Sequence, residues 1–269
     1  MLGKREDGFH EVVTVLQTVE LADTLSLSLA NDIRIECDLL QLETVENSVV
    51  KAAHLLRAET GCQRGVLARL DKHIPCGGLG GHSADAAAAI RGLDELWGLG
   101  LSKQRMLELA ASIGSDAPFC IYGGTALCEG RGDRVSPLPS LPQSWVVLLA
   151  PEIELPTGKT GKLYGSMKPA HFTTGGLARE MVAGLRQGRR RGGGLFNAFD
   201  VVAFDFFPGL GEYRSRFLQA GAEDVHLAGA GPVLFSLESE ESRGETIAAA
   251  LKDQGLEAFL VRTTRGCSY

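Results

Sequence analysis

Several features that would direct a chain to a membrane or to nucleic acid are missing from this sequence. It contains no apolar run near the roughly 18 residues that a membrane-spanning helix needs. Its first ten residues, MLGKREDGFH, lack the apolar stretch of a signal peptide. The formal net charge is −6, which disfavours a nucleic-acid partner. We therefore expect a cytoplasmic protein that binds neither membranes nor nucleic acids.

Cysteine is also sparse and unpatterned. The six cysteines include no C-x-x-C pair, and none stands at a zinc-ligand spacing from a histidine. This excludes the common zinc modules and a disulfide scaffold, and it favours reduced thiols, most of them in the core. The cysteines are Cys37, Cys62, Cys76, Cys120, Cys128 and Cys267.

The 269 residues are 44% hydrophobic and 22% charged, which is typical of a globular protein with a sizeable core. Alternating apolar and polar residues predict strands first, within 12–38. Further strands are predicted over 65–70, 117–128, 145–150, 223–228, 233–238 and 256–262. Helices are predicted from Asn47 to Gly61, from the end of the glycine loop to Trp97, from Ser102 to Gly114, and over 199–206, 208–220 and 240–254. The pattern indicates an α+β protein with two lobes, 1–150 and 151–269.

One segment, PCGGLGGHSADAAAA, places a glycine-rich loop directly before a strong helix former. Glycines allow close approach of a ligand, and successive N–H groups together with a helix N-terminus favour a phosphate. The hydroxyl of Ser83 can contact phosphate or Mg²⁺. A tight connection without a ligand remains the alternative. The candidate phosphate-binding residues are Pro75, Cys76, Gly77, Gly78, Leu79, Gly80, Gly81, His82, Ser83 and Ala84.

Two better-known phosphate motifs do not fit. The tail Gly158-Lys159-Thr160 is similar to the end of a Walker A loop, but Ile153 occupies the place of the first glycine. The dinucleotide fingerprint would begin at Gly78 and reaches Ser83 where its third glycine belongs. Neither a P-loop NTPase nor a Rossmann dinucleotide site is therefore predicted.

The glycine loop resembles the phosphate loop of the GHMP kinases, named for galactokinase, homoserine, mevalonate and phosphomevalonate kinases. Three further segments resemble, in order and spacing, the branch that phosphorylates 4-diphosphocytidyl-2-C-methyl-D-erythritol. They are GKREDGFHE at 3–11, GSDAPF at 114–119 and AGAGPVLF at 228–235. Asn197 also fits a helix start of that branch. The resemblance covers nearly the whole chain.

The resemblance implies two lobes around a cleft, with ATP on the glycine loop and the substrate between the lobes. The γ-phosphoryl group would pass to the C2 hydroxyl of the methylerythritol unit, in non-mevalonate isoprenoid biosynthesis. Asp116 would orient that hydroxyl and accept its proton; a turn or cap residue is the alternative. ATP and Mg²⁺ are the implied cofactors, with Ser83 as the metal contact.

The resemblance also assigns residues to the two ligands. The segment with Asp7, Phe9 and His10 would hold the cytosine, whereas a surface turn is the alternative. Lys72 and Asn47 would lie near the adenine; a solvated lysine and a helix cap are equally good interpretations. A second turn facing the substrate would contain Gly229, Ala230 and Gly231.

The sequence departs from the family pattern in four places. The glycine loop is one residue shorter between Pro75 and Leu79, and His82 replaces a third glycine, where it would crowd a phosphate or add a donor. Ala228 and Ala230 replace hydroxyl-bearing residues. The lysine-bearing strand that precedes the GKREDGFHE segment in the family has no counterpart, so we expect the coding sequence to extend upstream.

Alternatives remain open. Another GHMP small-molecule kinase, of the homoserine or mevalonate type, uses the same machinery. A catalytically impaired nucleotide-binding homologue is favoured by the shortened loop, by His82 and by the missing lysine. The run RQGRRRGGG at 186–194 is expected to be a solvated loop, with a basic anion-binding patch as the alternative. A monomer and a homodimer are both compatible with the sequence.

Overall fold

The structure is a computed structural model that describes residues 1–75, 77–188 and 194–266. Helices and strands are mixed along these ranges, as expected of an α+β protein. The strands are β1 (Gly3–Lys4), β2 (His10–Gln17), β3 (Thr24–Ala30), β4 (Ile33–Cys37), β5 (Gly65–Asp71), β6 (Thr125–Gly130), β7 (Arg134–Pro137), β8 (Trp145–Ala150), β9 (His226–Leu227), β10 (Leu234–Glu238) and β11 (Glu257–Arg262).

The helices separate the strands into three groups. They are α1 (Ser48–Thr60), α2 (Gly81–Trp97), α3 (Lys103–Ile113), α4 (Ala117–Tyr122), α5 (Lys159–Ser166), α6 (Gly176–Arg186), α7 (Asp200–Phe206), α8 (Leu210–Gln219) and α9 (Glu241–Asp253), with short 3-10 turns at Leu40–Leu42 and Pro169–His171. In the described ranges, no helix combines the length and the hydropathy that a bilayer crossing requires.

The described strands form three sheets, with the orders β1-β2-β6-β7, β3-β5-β4 and β11-β8-β10-β9. In the second sheet β3 runs antiparallel to β5 and β4 runs parallel to it. β8 lies before the predicted boundary at residue 150 and pairs with β10 and β11, which lie after it. The division into two lobes at this residue stays a prediction.

Helices α1 to α4 form one core with the β3-β5-β4 sheet. Leu25 and Leu27 turn towards this core while the serines between them face out, which is the alternation that the sequence predicts. On α2, a Cβ atom at Gly92 would lie 2.6 Å from a methyl group of Leu27. Helix α2, which begins at the glycine loop, therefore packs closely on the β3-β5-β4 sheet.

The second large core lies in the C-terminal half. Phe207, Leu210 and Phe217 are fully buried in it together with Val147 and Leu149 of β8. Each such side chain contributes roughly 1.5–3 kcal/mol relative to exposure. This core supports α5 and α7, whose first residues lie near the candidate site.

The strand predicted over 117–128 is wrong in its first half. Residues 117–122 form the short helix α4, and β6 begins only at Thr125. Pro118 lies in the first turn of α4, where its missing N–H costs nothing, and Gly123 ends the helix at φ 64°. Asp116 consequently lies before a helix rather than before a strand.

Other differences lie between residues 159 and 194, for which the sequence predicts no elements. The structure places α5 and α6 there. Part of the basic run at 186–194 lies outside the described residues, as do Cys76 and Cys267. The anion-binding interpretation of this run therefore stays a prediction.

Candidate active site

The glycine loop, defined here as residues 77–81, lies between β5 and α2. Gly78 and Gly80 adopt φ angles of 91° and 71°, a region that other residues enter only with strain. Among the described residues, the N–H groups of 77–82 donate no hydrogen bond. A run of unpaired donors at a helix N-terminus is suited to an anion, since the helix dipole adds to it.

His82 does not strain this arrangement. It lies in the first turn of α2, and no residue other than glycine has a positive φ in the described part of the chain. A Cβ atom at this position would crowd a phosphate if the backbone required a positive φ, and the backbone of His82 does not have one. Desolvation, with the nearby Lys72 charge, lowers the pKa of His82, so the imidazole is neutral near pH 7. Whether it donates to phosphate stays a prediction.

The glycine turn, defined here as residues 228–232, packs directly on the glycine loop. A Cβ atom on Gly78 would lie 2.5 Å from the carbonyl oxygen of Ala228, and one on Gly229 would lie 2.8 Å from that of Gly78. A Cβ atom on Gly77 would lie 2.6 Å from the Cδ atom of Pro232. Close backbone packing thus accounts for several of the glycines in both segments, and it places the turn against the loop.

Two side chains hold the glycine turn from the C-terminal half. The Asn197 amide donates to the carbonyl oxygens of Leu227 and Gly229, at 3.0 and 2.7 Å. Its own oxygen accepts from the N–H of Phe199 at 3.0 Å, at the start of α7. Lys159, the first residue of α5, donates to the carbonyl oxygens of the turn. The turn is therefore fixed to α7 and to α5.

Lys72 is not a solvated lysine. Its ammonium contacts the carboxylates of Asp23 and of Asp85, the latter at 2.8 Å, and all three side chains are at most 7% exposed. The group lies directly behind Gly81, whose Cβ atom would be 3.4 Å from the ammonium. This ion-pair cluster joins the start of β3, the end of β5 and the first turn of α2.

The two carboxylates of this cluster differ in their environment. Desolvation would raise the pKa of Asp23, but Lys72 and the N–H groups of Ile74 and His73 lower it. Asp85 has only Lys72 to offset its burial, so burial raises its pKa to about 6. Asp23 is therefore the more firmly ionised partner of the lysine.

Asn47 caps α1. Its side-chain oxygen accepts from the N–H of Val49 at 2.9 Å, and its amide donates to the carbonyl oxygen of Leu42 at 2.9 Å. The helix-cap interpretation is thus confirmed. Contacts of Asn47 and Lys72 with an adenine stay predictions.

Asp116 lies beside the first turn of α2. A Cβ atom on Gly114, two residues earlier, would lie 3.6 Å from the Ser83 hydroxyl. The carboxylate is exposed, and in the described part of the chain it forms no hydrogen bond and no ion pair. The protein that surrounds it nevertheless desolvates it and raises its pKa. Such a carboxylate is accessible to a substrate and suited to accept a proton.

An aromatic group lies within electrostatic reach of Asp116. The rings of His10 and Tyr164 lie 5.1 Å apart, and Phe172 meets His10 edge-on at 5.9 Å. Burial, with the charge of Asp116, raises the pKa of Tyr164 to about 12, so its hydroxyl stays protonated. Tyr164 carries no signal in the sequence, because the segment around α5 shows no periodicity that predicts a helix.

Phe9 projects from a tight turn at the start of β2. The turn is closed by Asp7, whose carboxylate accepts from the N–H of Phe9 at 3.1 Å. The Phe9 side chain is 47% exposed, and the Arg131 guanidinium lies 5.2 Å from its ring centroid. The next residue, Gly132, is close to Asp116: its Cβ atom would lie 3.4 Å from the carboxylate. Phe9 and Asp116 thus lie next to the same short turn, which contains Arg131 and Gly132.

No group of three or more His, Cys, Asp or Glu side chains is placed to hold a metal ion within 1–75, 77–188 and 194–266. A cation at this site would therefore be coordinated mainly by oxygen atoms of a bound molecule and of water, and by few protein atoms. Mg²⁺ commonly binds in this way, keeping waters and the phosphates of a nucleotide. The Ser83 hydroxyl, in the first turn of α2, is a suitable single protein ligand.

Comparison with known proteins agrees with this geometry. A family model described as GHMP kinases N terminal domain matches residues 47–124. A Dehalococcoides mccartyi protein named 4-diphosphocytidyl-2-C-methyl-D-erythritol kinase is 42% identical over 98% of this chain and 93% of its own.

Solved structures show the same fold. A crystal structure of 4-(cytidine 5'-diphospho)-2C-methyl-D-erythritol kinase has a TM-score of 0.81 at 29% identity, covering 99% of this chain and 94% of that chain. A homoserine kinase from Cytophaga hutchinsonii has a TM-score of 0.72 at 21% identity, covering 94% and 89%, which is a likeness of fold alone. The α+β fold predicted from the sequence is confirmed.

Proposed function

Since the chain belongs to the GHMP kinases, and among them to the 4-diphosphocytidyl-2-C-methyl-D-erythritol kinases, we propose that it transfers the γ-phosphoryl group of ATP to the C2 hydroxyl of that compound. The chain is thus a small-molecule kinase, as its sequence motifs predict. The observation that carries the proposal is the position of Asp116, beside the first turn of α2 and next to the aromatic group of His10 and Tyr164.

ATP is held by its phosphates on the glycine loop. The N–H groups of residues 77–82, which donate to no acceptor in 1–75, 77–188 and 194–266, and the N-terminal end of α2 supply donors and a positive potential. The Ser83 hydroxyl, together with the phosphates, would hold a Mg²⁺ ion, which would supply positive charge to the transferred group. Phosphoryl transfer needs little covalent chemistry from a protein, so these contacts supply position and electrostatic stabilisation.

Asp116 orients the acceptor hydroxyl and takes up its proton as the oxygen–phosphorus bond forms. Its raised pKa makes it a better proton acceptor than an ordinary exposed aspartate. The exposed carboxylate leaves space for an alcohol between itself and the phosphates. Because Asp116 forms no ion pair in the described chain, orientation of its carboxylate depends on the substrate.

The cytosine of the substrate lies on the Phe9 side of Asp116. Phe9 stacks on the base, and Asp7 maintains the turn that presents the ring. His10 is only 9% exposed, so it would contact a base edge with the small accessible part of its imidazole. The glycine turn, with Gly229, Ala230 and Gly231, faces the middle of the substrate with backbone groups. Tyr164 supports His10 from behind.

The proposal includes a cytoplasmic location, which the use of ATP and the four free cysteines among the described residues favour. These thiols are Cys37, Cys62, Cys120 and Cys128. Burial raises the pKa of both Cys120 and Cys128 to about 12, so neither is reactive.

The direct test is ADP release in a coupled assay with the cytidylyl compound, homoserine and mevalonate as acceptors. We expect turnover of the cytidylyl compound alone, and a loss of about 10²–10⁴-fold in kcat for Asp116→Asn with ADP affinity retained. Turnover of homoserine or mevalonate instead makes the chain another GHMP kinase. ADP binding without turnover of any acceptor, also after extension of the coding sequence upstream, identifies an impaired nucleotide-binding homologue.

A further inference from the structure

The segment Gly158-Lys159-Thr160 has a role that neither the Walker A pattern nor the proposed reaction accounts for. Lys159 is the first residue of α5 and is partly buried. Its ammonium donates to the carbonyl oxygen of Ala230 at 3.2 Å and to that of Gly231. The Phe207 ring centroid lies 6.0 Å from the same nitrogen. These contacts fix a positive charge on the back of the glycine turn.

The glycine loop packs against the other side of this glycine turn. The Gly231 oxygen that accepts from Lys159 lies 2.9 Å from the position of a Cβ atom on Gly77. The loop forms no N–H hydrogen bond of its own over residues 77–82 in the described chain. Its conformation therefore depends on packing against the turn, and a shift of the turn would move the phosphate donors.

The charge of Lys159 also suits this place for an electrostatic reason. Carbonyl oxygens carry partial negative charge, and the Gly231 oxygen lies against Gly77 of the glycine loop, on which the proposed function places the phosphates. Charge-assisted hydrogen bonds to an ammonium offset that negative potential and are stronger than neutral ones. An uncharged side chain at position 159 would leave the Ala230 and Gly231 oxygens either solvated or free to turn towards the anion.

We propose that Lys159 is a positioning residue for the phosphates of the nucleotide, acting through the glycine turn on the glycine loop. The inference rests on the proposed function only in taking ATP as the nucleotide. The inference extends the proposed function, because it makes the geometry of the glycine loop depend on a side chain more than 75 positions later in the sequence.

The test compares Lys159→Met with Lys162→Met in the full chain. Lys162 lies one turn further along α5 and is exposed, so it is a matched control for loss of one charge from the same helix. The dissociation constant of ADP is measured by calorimetry, and KM is measured for ATP and for the acceptor. For Lys159→Met we expect the ADP constant and the KM for ATP to rise about tenfold, equivalent to about 1.4 kcal/mol.

A residue that merely stabilises the fold would not give this selectivity. Because the glycine turn also faces the acceptor, we expect the KM of the acceptor to rise, but by clearly less than the KM for ATP. We expect Lys162→Met to match the wild type, and Lys159→Arg to restore most of the ADP affinity because it keeps donors and charge. Thermal unfolding of each variant is recorded in parallel. Should Lys159→Met be too unstable for binding assays, Lys159→Gln, which retains one donor, is expected to show an intermediate loss.

Wild-type ADP affinity in both Lys159→Met and Lys159→Gln overturns the proposal. An equal loss for ADP and for the acceptor overturns it as well, since the effect is then not specific to the phosphates. These results are separate from the outcome for the proposed function, because ADP binding is measured without any acceptor. A wild-type protein that turns over a different alcohol leaves the Lys159 comparison intact.

Discussion

A Cβ atom on Gly78 would lie 2.5 Å from the carbonyl oxygen of Ala228, a separation that real Cβ atoms do not show. The glycine loop and the glycine turn are therefore in backbone contact. A nucleotide that binds to the loop is supported by residues from both halves of the chain. This contact also means that loss of a glycine disturbs the site even where the glycine touches no phosphate.

Substitutions of two glycines in the loop separate steric packing from backbone strain. Gly80 has φ 71° and would have no atom within 4 Å of its Cβ, so Gly80→Ala is expected to cost only strain, about 1–2 kcal/mol. Gly78→Ala adds overpacking against Ala228, about 1–3 kcal/mol more. Urea unfolding and ADP titration of both variants check this order. Equal effects of the two substitutions would show that the close contact is not formed in solution.

The pH dependence of turnover is expected to follow the ionisation of Asp116. Desolvation raises the pKa of this carboxyl above its ordinary 3.8. A base acts only when ionised, so kcat/KM should fall as pH decreases through that raised pKa and be fully developed above it. Rate measurements across a pH series locate this acidic limb at higher pH than for an exposed aspartate.

The control for the pH series is His82→Gln. His82 has a pKa lowered from 6.5, so this imidazole also titrates on the acidic side of neutral pH. If Asp116 is responsible, the acidic limb remains in His82→Gln. Disappearance of the limb in that variant would assign it to the histidine instead.

Phe9 is expected to determine affinity for the cytidylyl acceptor. Its half-exposed ring is backed by Arg131 and offers its other side to a base. Stacking of a base on an aromatic side chain contributes about 1–3 kcal/mol, so Phe9→Ala should raise the KM of the acceptor by about 5–150-fold. The KM for ATP and the affinity for ADP should not change. Phe9→Tyr, which retains the stacking surface, is the matched control, and a similar loss there would contradict the stacking role.

The ion-pair cluster behind Gly81 is expected to tolerate loss of one carboxylate but not of the other. Asp23→Asn removes the more firmly ionised partner of the Lys72 ammonium. It also weakens the hydrogen bonds that the N–H groups of His73 and Ile74 donate to this side chain. Lys72 then keeps only Asp85, the less firmly ionised carboxylate, so we expect a loss of about 3 kcal/mol, the low end for a buried pair that loses one partner. Asp85→Asn leaves Lys72 paired with Asp23, and we expect a loss of about 1 kcal/mol. Urea unfolding gives both values, and the reverse order would refute this account.

Much of the fold was predictable because its signals are local. Alternation identified β3, and Asn47 and Ser102 with Gly61 identified the ends of two helices. The sequence predicts a strand where α4 lies, because a short apolar run shows no period that separates helix from strand. The signal for a helix is Pro118, since proline is favoured in the first turn of a helix. Asp116 was found through its sequence motif rather than through its local structure.

The parts that escaped prediction depend on tertiary contacts. Lys72 looks like a solvated lysine until β3 brings Asp23 to it. Tyr164 reaches His10 only because α5 is seated against the N-terminal hairpin. Lys159 belongs to a motif that is rightly rejected as a Walker A loop, yet its ammonium lies behind the phosphate loop. No periodicity or spacing in the sequence carries these relationships.

Gly78 and Ala228 are 150 positions apart in the chain, and this separation has a consequence for synthesis. Translation delivers the glycine loop long before the turn that shapes it, and contacts between such distant residues form late in folding. The growing chain accordingly has no formed phosphate cradle while its first half emerges. We therefore expect an N-terminal fragment that ends before residue 228 to bind nucleotide more weakly than the full chain, because its glycine loop lacks the turn that it packs against.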